Sequence, residues 1–274
     1  GTVEVQTGTL DFNSTVSNSG TMRVLAGATL PIDTAWTQQT GGTYTGVGLY
    51  TLPGTGTLTL NADLTAPTSF TIANGGILTG SGFFIIPTGA TTTWTGGNMI
   101  GTGTTQVASG GTLTVSGIFN KFLARTLTNT GTVALATGMT NFSMGGFTGT
   151  WTLTNQVGGV VDLQGDVTIA ANTGTLSVVN EGLLKKSGGA GTSTINVAVT
   201  NSGTVEVQTG TLDCNSTVSN SGTMRVFAGA TLPIHTAWTQ QTGGAFVTDP
   251  ASGPTPAGSI QLTSTLTLNA DLTA

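Results

Sequence analysis

One histidine, one cysteine and eleven carboxylates bound the chemistry this 274-residue chain can do. His235 is the natural acid–base group or metal ligand, but metal centres need several ligands. No Cys/His cluster surrounds it in the sequence. Cys214, standing alone, can form neither an intrachain disulfide nor a multi-thiolate zinc site. Asp162 and Asp166, in Asp-Leu-Gln-Gly-Asp, are the best carboxylate pair available. Glycoside hydrolysis uses two carboxyls at a defined gap, one with a raised pKa. Neither a wider carboxylate cluster nor sugar-binding Arg and Lys accompanies this pair, so both acids read as solvated corner residues. The sequence thus assigns no catalytic, metal-ligating or cofactor-binding residue and no cofactor, and it predicts a protein that is not an enzyme.

Three other residue types recur often enough to suggest binding. Asn18, Asn129, Asn180, Asn201 and Asn220 each stand in an Asn-x-Gly step. Asn tolerates turn backbone, and stacked Asn side chains hydrogen-bond to one another, so these are expected to be structural corners. Calcium-binding solenoids repeat Gly-Gly-x-Gly-x-Asp, a pattern this chain lacks. Thr-x-Thr runs occur at Thr55/Thr57/Thr59, Thr91/Thr93/Thr95, Thr102/Thr104, Thr126/Thr128/Thr130/Thr132 and Thr148/Thr150/Thr152/Thr154. A flat Thr lattice could bind ice, but the uneven intervals predict that these runs fall on different faces. Trp36, Trp94, Trp151 and Trp238 could stack on sugars if exposed; core packing is the favoured reading.

The elements that must hold these residues follow from composition. Charged residues are only 6% of the chain, against roughly 25% in an ordinary domain. Helix formers are scarce, and Thr, Val and Ile favour half-buried extended backbone. With 37% apolar residues the chain should fold. Six basic residues against eleven acidic give a formal charge of −5 and a pI near 4.4. The only close basic groupings are Lys121/Arg125 and Lys185/Lys186, too few to displace counterions, so no nucleic-acid partner is expected. No apolar run approaches the roughly 20 residues of a membrane helix, so this segment is not expected to insert.

Repeats appear at two scales. Gly1–Tyr44 and Gly203–Phe246 align without gaps and differ only at Phe12/Cys214, Leu25/Phe227, Asp33/His235, Thr43/Ala245 and Tyr44/Phe246. Residues 58–66 match residues 266–274 at a longer offset, placing a Pro-rich loop insertion at 247–258. The expected organisation is one continuous solenoid over 1–274, with one long unit at 1–202 and the start of a second at 203–274. Within the unit, Gly-Thr-apolar-x-apolar recurs at Gly1, Gly20, Gly56, Gly111, Gly131, Gly149, Gly174, Gly203 and Gly222. Each is a turn glycine followed by the period-2 alternation of a strand with one buried face. The predicted fold is all-β, a parallel β-helix or β-solenoid with rungs of about 18–25 residues.

Three stretches carry a family resemblance: Asn120–Leu135 (NKFLARTLTNTGTVAL), Val160–Ile169 (VVDLQGDVTI) and Val179–Leu212 (VNEGLLKKSGGAGTSTINVAVTNSGTVEVQTGTL). An Asn-x-Gly corner opens a rung, Lys-Ser-Gly-Gly-x-Gly-Thr precedes an Ile-x-Val strand, and Gly-Thr-Val-Glu-Val follows. Trp-Thr-Gly-Gly at Trp94–Gly97 belongs to the same pattern, with Trp36 and Trp151 in degraded versions. The chain resembles the β-solenoid repeats of very large secreted bacterial surface proteins, the group of autotransporter passengers and filamentous-haemagglutinin-like adhesins. That resemblance implies a secreted, structural and adhesive role in an extracellular filament at the cell surface. Its expected partners are neighbouring repeats, further copies of itself and surface glycans. An ice-binding Thr face and a carbohydrate-active β-helix are the alternatives.

Overall fold

The computed structural model describes residues 1–139, 141–250 and 255–269. Every strand pairing with an assigned register is parallel, and no helix occurs among the described residues. The strands stack as a β-solenoid of about 12 turns in all. Two compact units divide the chain, Gly1–Val133 and Ala134–Ala274.

Most strands of the first unit belong to three stacks, and Leu64–Thr65 and Phe84–Ile86 pair with each other beside them. One holds Thr2–Val5, Thr21–Val24 and Thr43–Gly46. A second holds Thr29–Pro31, Leu49–Leu52, Ser69–Ile72, Thr91–Trp94 and Thr112–Val115. The third runs from Val16–Asn18 through Ala35–Gln38, Thr57–Leu60 and Ile77–Gly80 into the long strands Gly97–Val107 and Lys121–Asn129. Those two long strands bend where the register shifts between Ile100 and Thr104. Gly80 and Gly101 lie at this bend with φ of 104° and 101°. A Cβ on Gly101 would meet the Gly80 carbonyl at 2.7 Å, so backbone conformation and space both demand glycine.

The second unit repeats the scheme. Val160–Leu163, Leu183–Lys186, Thr204–Val207, Thr223–Val226 and Ala245–Thr248 form one stack. Thr150–Asn155, Thr175–Asn180, Ala198–Asn201, Val218–Asn220, Trp238–Gln240 and Leu266–Leu268 form another. Asn141–Met144, Thr168–Ala171, Thr192–Ile195, Thr211–Cys214, Thr231–Ile234 and Ser259–Leu262 form the third. Register partners stand about one turn apart in sequence. The step from Asn141 to Thr168 is 27 residues, longer than the 18–25 expected, with a connection at 145–149 whose last three residues are exposed.

The alternation read from the sequence becomes the inside and outside of each turn. Val24, Leu30, Tyr50, Leu52, Phe70, Ile72, Trp94, Leu113 and Val115 are fully buried in the first unit. Val207, Leu212, Val226 and Leu232 are fully buried in the second. The near-identical segments also keep one local register: Val3 faces Met22 and Glu4 faces Arg23, while Val205 faces Met224 and Glu206 faces Arg225. Trp36 pairs with Leu58 and Trp238 with Leu266. Of the loop expected at 247–258, residues 251–254 lie outside the described residues, as do residues 270–274 of the second match.

Two of the beat glycines are required for closeness. Gly203 and Gly222 both have ordinary φ, yet a Cβ on Gly203 would sit 2.3 Å from the Gly182 carbonyl. One on Gly222 would sit 2.1 Å from the Gly203 carbonyl. Successive turns approach too tightly there for any side chain.

Candidate functional site

The candidate chemical residues are held by structural partners. His235 Nε2 lies 3.2 Å from Asp213 Oδ1 and 3.4 Å from Asn215 Oδ1. Burial raises the Asp213 pKa, and His235 opposes that shift. The equivalent first-copy pair is Asp11 and Asp33, where burial and then Asp33 raise the Asp11 pKa. Among the described residues no group of three or more His, Cys, Asp or Glu could hold a metal ion. Cys214 is buried, and desolvation, assisted by Asp213, pushes its thiol up to about 12.

Asp162 and Asp166 each face a lysine one turn on. Asp162 lies 3.5 Å from Lys185 Nζ and accepts hydrogen bonds from Ser187 Oγ and Gln164 Nε2. Asp166 accepts a 2.8 Å bond from Lys186 Nζ and a 3.1 Å bond from the Gly191 N–H. The Lys186 hydrogen bond holds the Asp166 carboxyl below its ordinary pKa. That direction is the reverse of what a general acid requires.

Three of the four residues in the basic groupings are buried. Lys121 Nζ donates to the carbonyls of Gly117 and Phe119, and burial lowers its pKa. Arg125 is fully buried, donates to the Gly82 and Thr104 carbonyls, and is pushed down to about 10 by desolvation. Lys186 is also fully buried and, besides Asp166, reaches Gly188 O at 2.8 Å and Ser193 Oγ at 3.2 Å. These cations sit inside the fold, and sequence reading gave no sign of that: the coil brings Gly82 and Thr104 to Arg125, whose Nε and Nη1 stay buried without a partner, while Lys121 uses carbonyls of its own turn.

The Asn-x-Gly residues form an internal ladder. In the second unit Asn155 donates to Asn180, Asn180 to Asn201 and Asn201 to Asn220, each at 2.7 Å. Asn220 then donates to Gln240 Oε1 at 3.0 Å. All five side chains are fully buried. In the first unit Asn18 donates to Gln38 at 3.2 Å, and the Gly20 N–H donates back to Asn18 Oδ1. Asn129 is buried too, and its Oδ1 accepts from the Gly131 N–H. Asn155, Gln38 and Gln240 escaped the Asn-x-Gly reading because no glycine follows two residues later. Trp36, Trp94 and Trp238 are buried core residues, while Trp151 is half-buried.

The Thr runs do divide among faces, as their spacing predicts, but one face collects an array the run search missed. In the second stack of the first unit the outward positions form two columns. One reads Thr29, Leu49, Ser69, Thr91, Thr112, and the other Pro31, Thr51, Thr71, Thr93, Thr114. Eight of these ten positions carry a hydroxyl and none carries a charge. Only Thr91/Thr93 comes from a run of Thr-x-Thr noticed in the sequence. The other members join it because turns of unequal length bring them into register.

The chain matches no protein-family model and no curated protein. The fold therefore stands on its own strand pairings.

Proposed function

We propose that this chain is a structural and adhesive rod, part of a fibre at a bacterial cell surface or outside the cell, and that it does no chemistry. The observation that carries this reading is the register-locked stack of turns with a buried amide ladder. Asn155 through Gln240 form a chain of side-chain hydrogen bonds parallel to the strand pairing. Parallel ladders and stacked amides are the features that make repeated β-structures resistant to local opening. A fold in which each turn rests on its neighbours can be lengthened by adding turns, which suits spanning distance.

On this reading the natural partners are neighbouring repeats, other copies of the chain and surface glycans. Weak contacts repeated along a rod sum to avidity without a deep pocket. Electron microscopy of the protein released from its native surface provides the test. Elongated filaments that antibodies to this chain decorate along their length are expected; compact particles would count against the role.

A further inference from the structure

The geometry points to a second activity on one face of the first unit: the two-column hydroxyl array from Thr29 to Thr114 binds ice. Rungs of a β-stack lie about 4.8 Å apart, and alternate residues of a strand about 6.6 Å apart. The outward residues Ser69/Thr71, Thr91/Thr93 and Thr112/Thr114 therefore occupy a two-dimensional lattice, with Thr51 and Thr29 continuing its columns. No register shift interrupts the strands across these rungs.

Hydrogen bonding distinguishes this face from two hydroxyl pairs elsewhere. Elsewhere neighbouring hydroxyls bond one another directly, Thr43 to Thr21 at 3.0 Å and Thr152 with Ser177 at 3.2 Å. None of the eight array hydroxyls has a protein hydrogen-bond partner among the described residues. Although hydroxyls on adjacent rungs can bond, as Thr21 and Thr43 do, no array hydroxyl bonds its neighbour across the rung spacing of about 4.8 Å. Two O–H···O bonds of about 2.75 Å meeting at one tetrahedral water span ~4.5 Å. The columns are thus spaced so that single waters bridge successive threonines, the second-neighbour distance of a tetrahedral water network.

The rest of the face fits that occupant. Inward residues Tyr50, Phe70, Trp94 and Leu113 are fully buried and hold the strands from behind. Tyr50 is fixed further by its hydroxyl, which lies 2.7 Å from Met22 O and 2.8 Å from Thr45 O and donates its one proton between them. Threonine is stiff at χ1, so the hydroxyls and methyls are ordered before binding and little entropy is lost on contact. Charge complementarity also favours ice: the array is neutral in a chain of formal charge −5, and a neutral water lattice would disfavour a buried ion. A crystalline polysaccharide would call for outward aromatic rings, and this face presents none.

The test uses the 274-residue chain in thermal-hysteresis and ice-recrystallisation assays, with circular dichroism to confirm each variant is folded. Wild type is expected to adsorb to ice and arrest crystal growth. Thr71→Lys and Thr93→Lys should each weaken that activity at least about tenfold, the change produced by ~1.4 kcal/mol of binding free energy. Thr93→Val, which keeps the shape and loses the hydroxyl, should weaken it less. Thr59→Lys, on a different stack, should leave it intact. A folded wild type with no effect on ice would overturn the proposal. So would equal losses from Thr59→Lys and Thr93→Lys, or retention on crystalline chitin or cellulose without any ice activity. None of these outcomes bears on the structural role, which rests on the other measurement.

Discussion

Asn201 Nδ2 donates to Asn220 Oδ1 at 2.7 Å while Asn201 Oδ1 accepts from Asn180 at the same distance, both bonds fully buried. Removing the middle amide breaks both bonds, leaving Asn180 Nδ2 with the Gly182 and Thr204 carbonyls and Asn220 Oδ1 with the Gly222 N–H. Asn201→Ala should therefore cost about 1–3 kcal/mol, since each of the two buried bonds lost contributes roughly 0.5–1.5. Asn215 makes a comparable 3.2 Å bond to Asn196 at the surface, where water substitutes freely. Asn215→Ala should change stability by no more than about 0.5 kcal/mol. Urea unfolding of both variants measures the contrast, and equal losses would remove the ladder as a source of stability.

Gly203 offers a sharper test of the packing between turns. Gly203→Ala drives a methyl to 2.3 Å from the Gly182 carbonyl and should cost about 1–3 kcal/mol or more, the range for overpacking. Gly89 has a positive φ but no atom within 4 Å of its added Cβ. Gly89→Ala should therefore cost only its backbone strain, about 1 kcal/mol. Thermal melts in which Gly203→Ala is as mild as Gly89→Ala would contradict the close approach.

The ordinary carboxylate pKa is about 3.9, and Asp166 lies below its ordinary value because of Lys186. A depressed folded pKa gives stability that is present above the unfolded value and is lost as pH falls through the folded value. Asp166→Asn should lower the melting temperature at pH 7 and flatten the fall in stability below about pH 4. An unchanged acid limb would mean that the Lys186 pair contributes nothing to it.

The two copies contain a natural charge experiment. Asp11 sits beside Asp33 with its pKa raised, so the folded state loses stability as pH rises from the unfolded toward the folded value. In the second copy His235 replaces the second acid and lies 3.2 Å from Asp213. Asp33→His should raise the melting temperature, and more at pH 5.5 than at pH 8, because an unperturbed imidazole titrates near about 6.5. A lower melting temperature at pH 5.5 would show that the acid pair is not repulsive.

Much of this arrangement was legible in the residues. Alternation after each Gly-Thr placed the strands and their inward faces. The Asn-x-Gly steps announced a stacked corner. What stayed hidden depends on turn length. Ser69 and Thr91 share a column although 22 residues separate them, Thr91 and Thr112 although 21 do. No fixed period finds that lattice. The burial of Arg125 is another such case, since the coil brings Gly82 O to its donor from 43 residues away.

Stretching single molecules between their two ends tests the structural claim most directly. Each turn of about 20 residues stores roughly 70 Å of extended chain at ~3.5 Å per residue. If stacked turns and the amide ladder carry load, extension should proceed in discrete steps of about that length or small multiples of it, each at a resolvable force. Asn201→Ala should lower the force of the steps that open the second unit. Smooth lengthening at negligible force, as in an unstructured chain, would contradict the account.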